Sequence, residues 1–334
     1  MSQEVGSERR SRSMDIDALH WGTLHDWGQL VRLPNIFTLV SNCLAAAVVA
    51  TGQLLPLSAL IPTLIASVCA YWAGMILNDV VDVEEDRRDR PTRPLASGAI
   101  SPVIAGHIAT GMLLIAPILI LAVTTFHQTE ALWMGAAFLA AASLSIAVRL
   151  YNSVLKGTPL GPVLMGGCRA LNILMVGCTL FAVSGNEVFP RPLLYFALGI
   201  GLYILGVTIY AHREEKQSSQ VGLAVGLLFE LAGLILIGYL PYTATEPQPA
   251  WTLDPVRGYP LLIALIGLTV LNRGFSGVLH PVSRKVQLAV KHAILTLVLI
   301  DAAVVVMWAG AWYGAAVALL LIPALTSAMR FRST

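Results

Sequence analysis

The sequence predicts an all-α protein, a polytopic bundle of about ten transmembrane helices. Three observations carry that expectation. The 334 residues are 56% hydrophobic and 12% charged, with a mean hydropathy of +0.74. A soluble domain carries about 25% charged residues, so a water-exposed surface of ordinary make-up is excluded. Apolar runs near the roughly 20 residues that a helix needs to cross a bilayer recur along the whole chain. Lys and Arg gather at alternate ends of those runs, as they do when every second loop faces the cytoplasm. The net charge of +2 and the lack of a basic stripe speak against a nucleic-acid partner.

Residues 1–27 read as a cytoplasmic N-terminal segment, disordered in part to about Asp15, and residues 28–334 as the membrane domain. Arg9, Arg10 and Arg12 precede no apolar run until after Trp27, which is not the pattern of a cleavable signal peptide. Candidate spans follow at 31–51, 57–79, 102–126, 131–150, 158–184, 191–213, 220–242, 259–278, 286–308 and 311–329. Pro56, Pro102, Pro159 and Pro192 stand near span starts, where a missing N–H is tolerated. Only Ala309, Gly310 and Ala311 separate the last two spans. Arg87, Arg88, Arg90, Arg93, Arg149, Lys156, Arg213, Lys216, Arg284, Lys285, Lys291, Arg330 and Arg332 fall on the side of the N-terminal arginines, and Arg191 and Arg257 on the other. This asymmetry places both termini in the cytoplasm and favours an even number of spans. Cys43, Cys69, Cys168 and Cys178 lie in apolar runs without metal or disulfide spacing and read as small core residues.

The second span ends in LNDVVDVEEDRRDRPTRPLASGAIS, residues 77–101. At about 100° per residue, a helix continued from Asn78 sets Asp89 near 20°, Asp82 near 40°, Asp86 near 80° and Asp79 near 100°. One amide and four carboxylates then share a face and repel one another unless cations neutralise them. Mg2+ is the natural partner, since it takes oxygen ligands and bridges carboxylates to phosphate. The competing view is a solvated helix end that marks the membrane boundary.

Other charged positions fall near the same side. Tyr210, Arg213, Glu214 and Gln217 share a face where span six ends, and Lys156 follows span four in Tyr151–Pro159. Arg169 lies inside span five, where an arginine faces a cavity or a partner. A phosphate group is one such partner, and a neighbouring carbonyl or acid is another. Glu230, Arg273 and Asp301 are further charges inside spans, with structural roles expected and Arg273 a possible mate for Asp301. Tyr71, Trp72, Tyr203 and Tyr210 read chiefly as packing or interface anchors.

Asn78, Asp79, Asp82 and Asp86, followed by Arg90-Pro-Thr-Arg93-Pro-Leu-x-Ser-Gly, resemble the first aspartate-rich motif of the UbiA superfamily of membrane prenyltransferases. Tyr151–Pro159 resembles that family's Tyr…Lys…Thr segment, and Thr208-x-Tyr210-Ala211 the start of its second acidic motif. The resemblance implies a helical bundle around a central cavity, with nine spans where the apolar runs count ten, and two Mg2+ ions that hold an isoprenoid diphosphate at its cytoplasmic end. Residue by residue, it implies Asn78, Asp79, Asp82, Asp86 and Glu214 as metal ligands. It implies Asp82, Asp86 and Lys156 as the catalytic set. Asn78, Arg93, Arg169, Tyr210, Arg213 and Glu214 would contact substrate, Arg169 at the diphosphate. The second motif departs from the family: its acidic positions hold Val207, Glu214, Gln217 and Ser218. In this, and in Gly-Gly-Cys-Arg169-Ala-Leu-Asn172, the chain looks most like the EboC-like branch.

The expected activity is transfer of an isoprenoid group from an allylic diphosphate to a small-molecule acceptor that the sequence does not identify, with membrane lipids around the site. The alternative is a protein on the same scaffold that binds or carries a lipid or amphipathic metabolite without turnover.

Overall fold

The computed structural model describes residues 20–54, 56–211, 219–244, 250 and 254–330, with side chains as far as Ser327. The chain is pinned before it reaches the bundle. Trp21 pairs with Ile100 in an isolated antiparallel bridge, and Ser101 N donates to His20 O at 2.9 Å. Helix α1 (Leu24–Leu30) opens on a capping box, with Thr23 and Asp26 each accepting from the other's backbone N–H. These bonds from Thr23 hold the Asp26 carboxyl below its ordinary pKa. The expected boundary at residue 27 therefore falls inside a helix.

A 3-10 turn at Leu33–Asn35 leads into α2 (Ile36–Thr51). There follow α3 (Leu57–Val81), α4 (Val83–Asp89), α5 (Pro102–Phe126) and α6 (Ala131–Leu150), which runs on into a π-helical turn at Tyr151–Leu155. Next come α7 (Gly161–Ser184), α8 (Arg191–Ala211), α9 (Gln220–Gly238) and the short α10 (Leu240–Thr243). The chain closes with α11 (Pro255–Leu279), α12 (Ser283–Ala309), α13 (Ala311–Ala318) and α14 (Leu321–Arg330).

Among the described residues, nine helices are long and apolar enough to cross a membrane. The tenth apolar stretch is not a single span. It breaks between α13 and α14, where Pro323 has no N–H to donate to Leu319 O, four residues back. It still returns: α13 packs on α12, and α14 packs on the Leu33–Asn35 turn and α2. The last described helix therefore returns to the side from which α2 sets out.

Packing follows residue size. α2 and α7 lie against each other, with α3, α5 and α6 on one flank and α8, α9, α11 and α12 on the other. The centre of α2 is the small-residue run Ala45–Ala50, fully buried. α5, α9 and α11 turn apolar side chains such as Leu114, Leu228 and Leu265 outward, as lipid contact requires. α8 and α9 approach backbone to backbone: a Cβ on Gly206 would stand 2.5 Å from Gly226 O, and one on Gly233 2.5 Å from Gly199 O.

Candidate active site

α3 carries Asn78 and Asp79 in its last turn and stops at Asp82, whose backbone (φ −84°, ψ 1°) leaves helical geometry. Asp82 N still donates to Asn78 O at 3.1 Å, and α4 starts anew at Val83. The single continuous face expected from Asn78 to Asp89 is therefore corrected. Asp86 turns inward and is 5% exposed, while Asp89 is exposed and outside the group. The break arises because the chain must double back. Arg93 N donates to Arg90 O and Ser97 N to Arg93 O, and Gly98 takes a positive φ of 80°.

That reversal returns Arg93 to the acids. Its Nη1 lies 2.8 Å from Asp86 Oδ2 and 3.7 Å from Asp79 Oδ1. Arg32 Nη2 reaches Asp79 Oδ1 at 3.4 Å from the other side. Arg32 sits in the left-handed region (φ 50°) just before the 3-10 turn, a conformation uncommon for a residue with a side chain. Lys156 Nζ contacts Asp82 Oδ2. The π-helical turn before it sets this register, as an extra residue in a turn rotates all that follows. Asn78 Nδ2 donates to Asp79 Oδ1 at 3.3 Å and lies 3.5 Å from Asp82 Oδ2. Asp79, Asp82 and Asp86 thus meet Arg32, Arg93 and Lys156, one positive charge for each negative charge.

Sequence reading passes over Arg32. The available signal was its place at the very start of the first expected span, 31–51, at the end of the bundle that holds the acids. Of the other expected residues, Tyr210 is buried, and its hydroxyl donates to Gly274 O at 2.8 Å, tying α8 to α11. Arg213 and Glu214 lie outside the described residues. Arg169 Nη2 is 3.5 Å from Thr38 Oγ1 on α2. Asp301 does not pair with Arg273. It accepts from Ser41 Oγ and Asn42 Nδ2, each at 2.6 Å, whereas Arg273 is exposed on α11.

Among the described residues, no three His, Cys, Asp or Glu side chains are arranged to hold a metal by themselves. Mg2+ asks for less: one or two carboxylates, with phosphate and water completing the octahedron. Asn78, Asp82 and Asp86 are hard oxygen donors, and so fit it in kind. A second, apolar groove of about 380 Å³ lies between α9 and α11, lined by Leu234, Tyr239, Ile263 and Leu268 among others. It is at the opposite end of the bundle, since α9 leaves the end at which α8 arrives.

Residues 39–285 match the UbiA prenyltransferase family. The chain is 30% identical over 244 residues to a digeranylgeranylglyceryl phosphate synthase of Methanopyrus kandleri, covering 66% of this chain and 79% of that one. It is 28% identical over 157 residues to protoheme IX farnesyltransferase 2 of Nitrobacter winogradskyi, covering 42% of this chain and spanning about half of the relative, 46% of its length. Among solved structures, a UbiA homologue from Archaeoglobus fulgidus bound to GPP and Mg2+ superposes with a TM-score of 0.55 at 15% identity, over 81% of this chain and 99% of that one.

Proposed function

This chain belongs to the UbiA prenyltransferase family, an integral multi-pass membrane protein, and on that premise we propose that it moves an isoprenoid group from an allylic diphosphate to an acceptor with Mg2+ assistance. The observation that carries the reading is the meeting of Asp79, Asp82 and Asp86 with Arg32, Arg93 and Lys156, drawn from three separate stretches of chain. A diphosphate and its counter-ions need both kinds of group at one place. The Archaeoglobus fulgidus neighbour, which holds GPP and Mg2+, supports the same assignment.

Asn78, Asp79, Asp82 and Asp86 would hold Mg2+, with Glu214 the candidate for a second site. When bound, the metal neutralises charge on the diphosphate oxygens. Lys156, Arg32 and Arg93 then exchange their carboxylate partners for phosphate oxygens and stabilise the leaving group. Asn78 orients the Asp79 and Asp82 carboxylates through its amide N–H groups. The allylic carbon–oxygen bond breaks, diphosphate departs, and the acceptor bonds to the same carbon and gives up a proton. The apolar walls of the bundle shield the allylic cation from water, and the isoprenoid tail lies among the spans. The donor reaches the site from the cytoplasm, where the positive-inside distribution sets this end of the bundle.

Asp82→Asn removes a metal ligand and leaves Lys156 without its anion. Purified protein with Mg2+ and geranyl diphosphate should then lose diphosphate release by about a hundredfold or more. Release unchanged from wild type would remove the first acidic motif from the reaction. The second reading, binding without turnover, is favoured by one fact: of the second motif's positions Val207, Glu214, Gln217 and Ser218, only Glu214 carries a carboxylate, so one metal site is left to hold a diphosphate. It predicts binding of geranyl diphosphate and no release with any acceptor.

A further inference from the structure

Residues 255–300 include Arg257, Arg273, Arg284, Lys285 and Lys291 but not one Asp or Glu. They build α11 and most of α12, which pack against each other. Thr269, Arg273, Ser276 and His280 recur at helical spacing and share one face of α11. Lys285, Leu288 and His292 do the same on α12. The two faces meet, for His292 Nε2 lies 3.1 Å from Thr269 Oγ1. Thr269 gives its only hydroxyl proton to Ile266 O at 2.8 Å, so it accepts from His292 and orients the ring. With that register in an antiparallel pair, Arg273 falls opposite Leu288, and Ser276 opposite Lys285. Arg273 is then about 6 Å nearer the acid-bearing end than Thr269, and Ser276 and Lys285 are about 4–5 Å nearer again. An imidazole, a guanidinium and an ammonium follow one another along a single seam.

The seam faces outward. Thr269, Arg273, Ser276, His280 and Lys285 are exposed, and so are Leu265, Leu268, Leu288 and Leu299 beside them. Both helices are long and apolar enough to cross a membrane, so this face meets lipid. Yet Arg273 stands about 9 Å before the end of α11, and His292 about 13 Å past the start of α12. A basic group at such depth is costly unless it reaches water or an anion. Among the described residues, Arg273, Lys285 and His292 have no acidic partner, in contrast to Arg32, Arg93 and Lys156. Snorkelling would bring each cation singly to water. It gives no reason for three of them to stand in one row above outward-facing leucines. Polarity also changes along the seam, from Leu265, Leu268 and Leu299 at the far end to Arg273 and Lys285 at the acid-bearing end. An amphiphile with an anionic head and apolar chains has the same division, and basic pockets between transmembrane helices take such heads.

We propose that the α11–α12 seam binds an anionic phospholipid of the leaflet at the acid-bearing end. Its phosphate lies on Arg273 and Lys285, with His292 on the deep side, and its chains run along Leu265, Leu268 and Leu299. The inference does not depend on the prenyl-transfer reading.

The test uses the full chain in detergent micelles, titrated with dioleoylphosphatidylglycerol or dioleoylphosphatidylcholine, with bound lipid counted by native mass spectrometry. Wild type should prefer phosphatidylglycerol by about fivefold or more. Arg273→Gln and Lys285→Gln should each weaken phosphatidylglycerol by about fivefold. Arg284→Gln removes an equal charge about 100° round α12 from Lys285 and should change that affinity by less than about twofold. The two seam variants are independent, so one carries the test where the other does not fold. No preference for phosphatidylglycerol in wild type overturns the proposal. Equal losses in Arg284→Gln and the seam variants overturn it too, because the charges then act as a general basic surface. Displacement of phosphatidylglycerol by an equal concentration of glycerol 3-phosphate also overturns it, by giving the seam to a soluble phosphate.

Discussion

Arg93 illustrates what a single side chain decides here. It joins two carboxylates, Asp86 at 2.8 Å and Asp79 at 3.7 Å, that are themselves 7% and 8% exposed. Removing one partner of a buried pair leaves an uncompensated charge, a loss of about 3–5 kcal/mol for a fully buried pair. Arg93 is itself 18% exposed, so the lower end of that range applies. Arg93→Met should therefore lower the thermal midpoint in detergent even with no substrate present, by about 3 kcal/mol of stability. Arg93→Met combined with Asp86→Asn should recover part of that loss, because the orphaned charge is gone. A midpoint unchanged in Arg93→Met would mean that Arg32 alone satisfies the pair of acids. The pairing is also a lesson in reading. Asn78, Asp79, Asp82 and Asp86 stand out in the sequence by spacing, yet nothing in the spacing says that each acid meets a basic partner.

At the scale of the element, two features position the site. The π-helical turn at Tyr151–Leu155 rotates Lys156 toward Asp82. Deleting Ser153 restores ordinary helical register and turns Lys156 by about 100°. Diphosphate release should then fall as far as in Asp82→Asn, while circular dichroism and the melting profile stay close to wild type. Retained release would show that Lys156 is free to find Asp82 from either register. The second feature is the contact of α8 with α9. Gly206→Leu would drive a side chain into Gly226 O and Glu230 N, 2.5 and 2.6 Å from its Cβ. Overpacking costs about 1–3 kcal/mol where side chains yield, and here backbone must move, so a loss of about 3 kcal/mol or more is expected. Gly111→Leu, where a Cβ meets nothing within 4 Å, is the control and should leave the melting temperature unchanged. Equal effects at the two positions would remove the close approach from the account of the fold.

For the whole molecule, the alternation of the nine long helices among the described residues and a broken return brings the acidic cluster, Lys156 and the basic start of α12 (Arg284, Lys285) to one end. We infer from the excess of Lys and Arg there that this end faces the cytoplasm. Asp89→Cys, exposed at the end of α4, should react with a membrane-impermeant maleimide only from the cytoplasmic face. Glu130→Cys, exposed between α5 and α6, should react only from the opposite face. Swapped labelling would invert the topology and put the site out of reach of cytoplasmic diphosphates.

The sequence by itself determined the membrane-spanning, all-helical class, the order of the spans to within a few residues, and the acidic motif at the end of the second. Those properties are local: hydropathy and residue spacing along one stretch of chain suffice for them. Only the tertiary structure decided that the helix stops at Asp82, that Arg32 joins Asp79, that Asp301 meets Ser41 and Asn42 in place of Arg273, and that the last apolar stretch returns as two short helices. Each of these depends on which side chains from distant helices fill the same space, Asp301 with Asn42 across 259 positions of sequence. A buried charge takes the partner that packing brings within hydrogen-bonding distance, and periodicity along a chain carries no record of that distance.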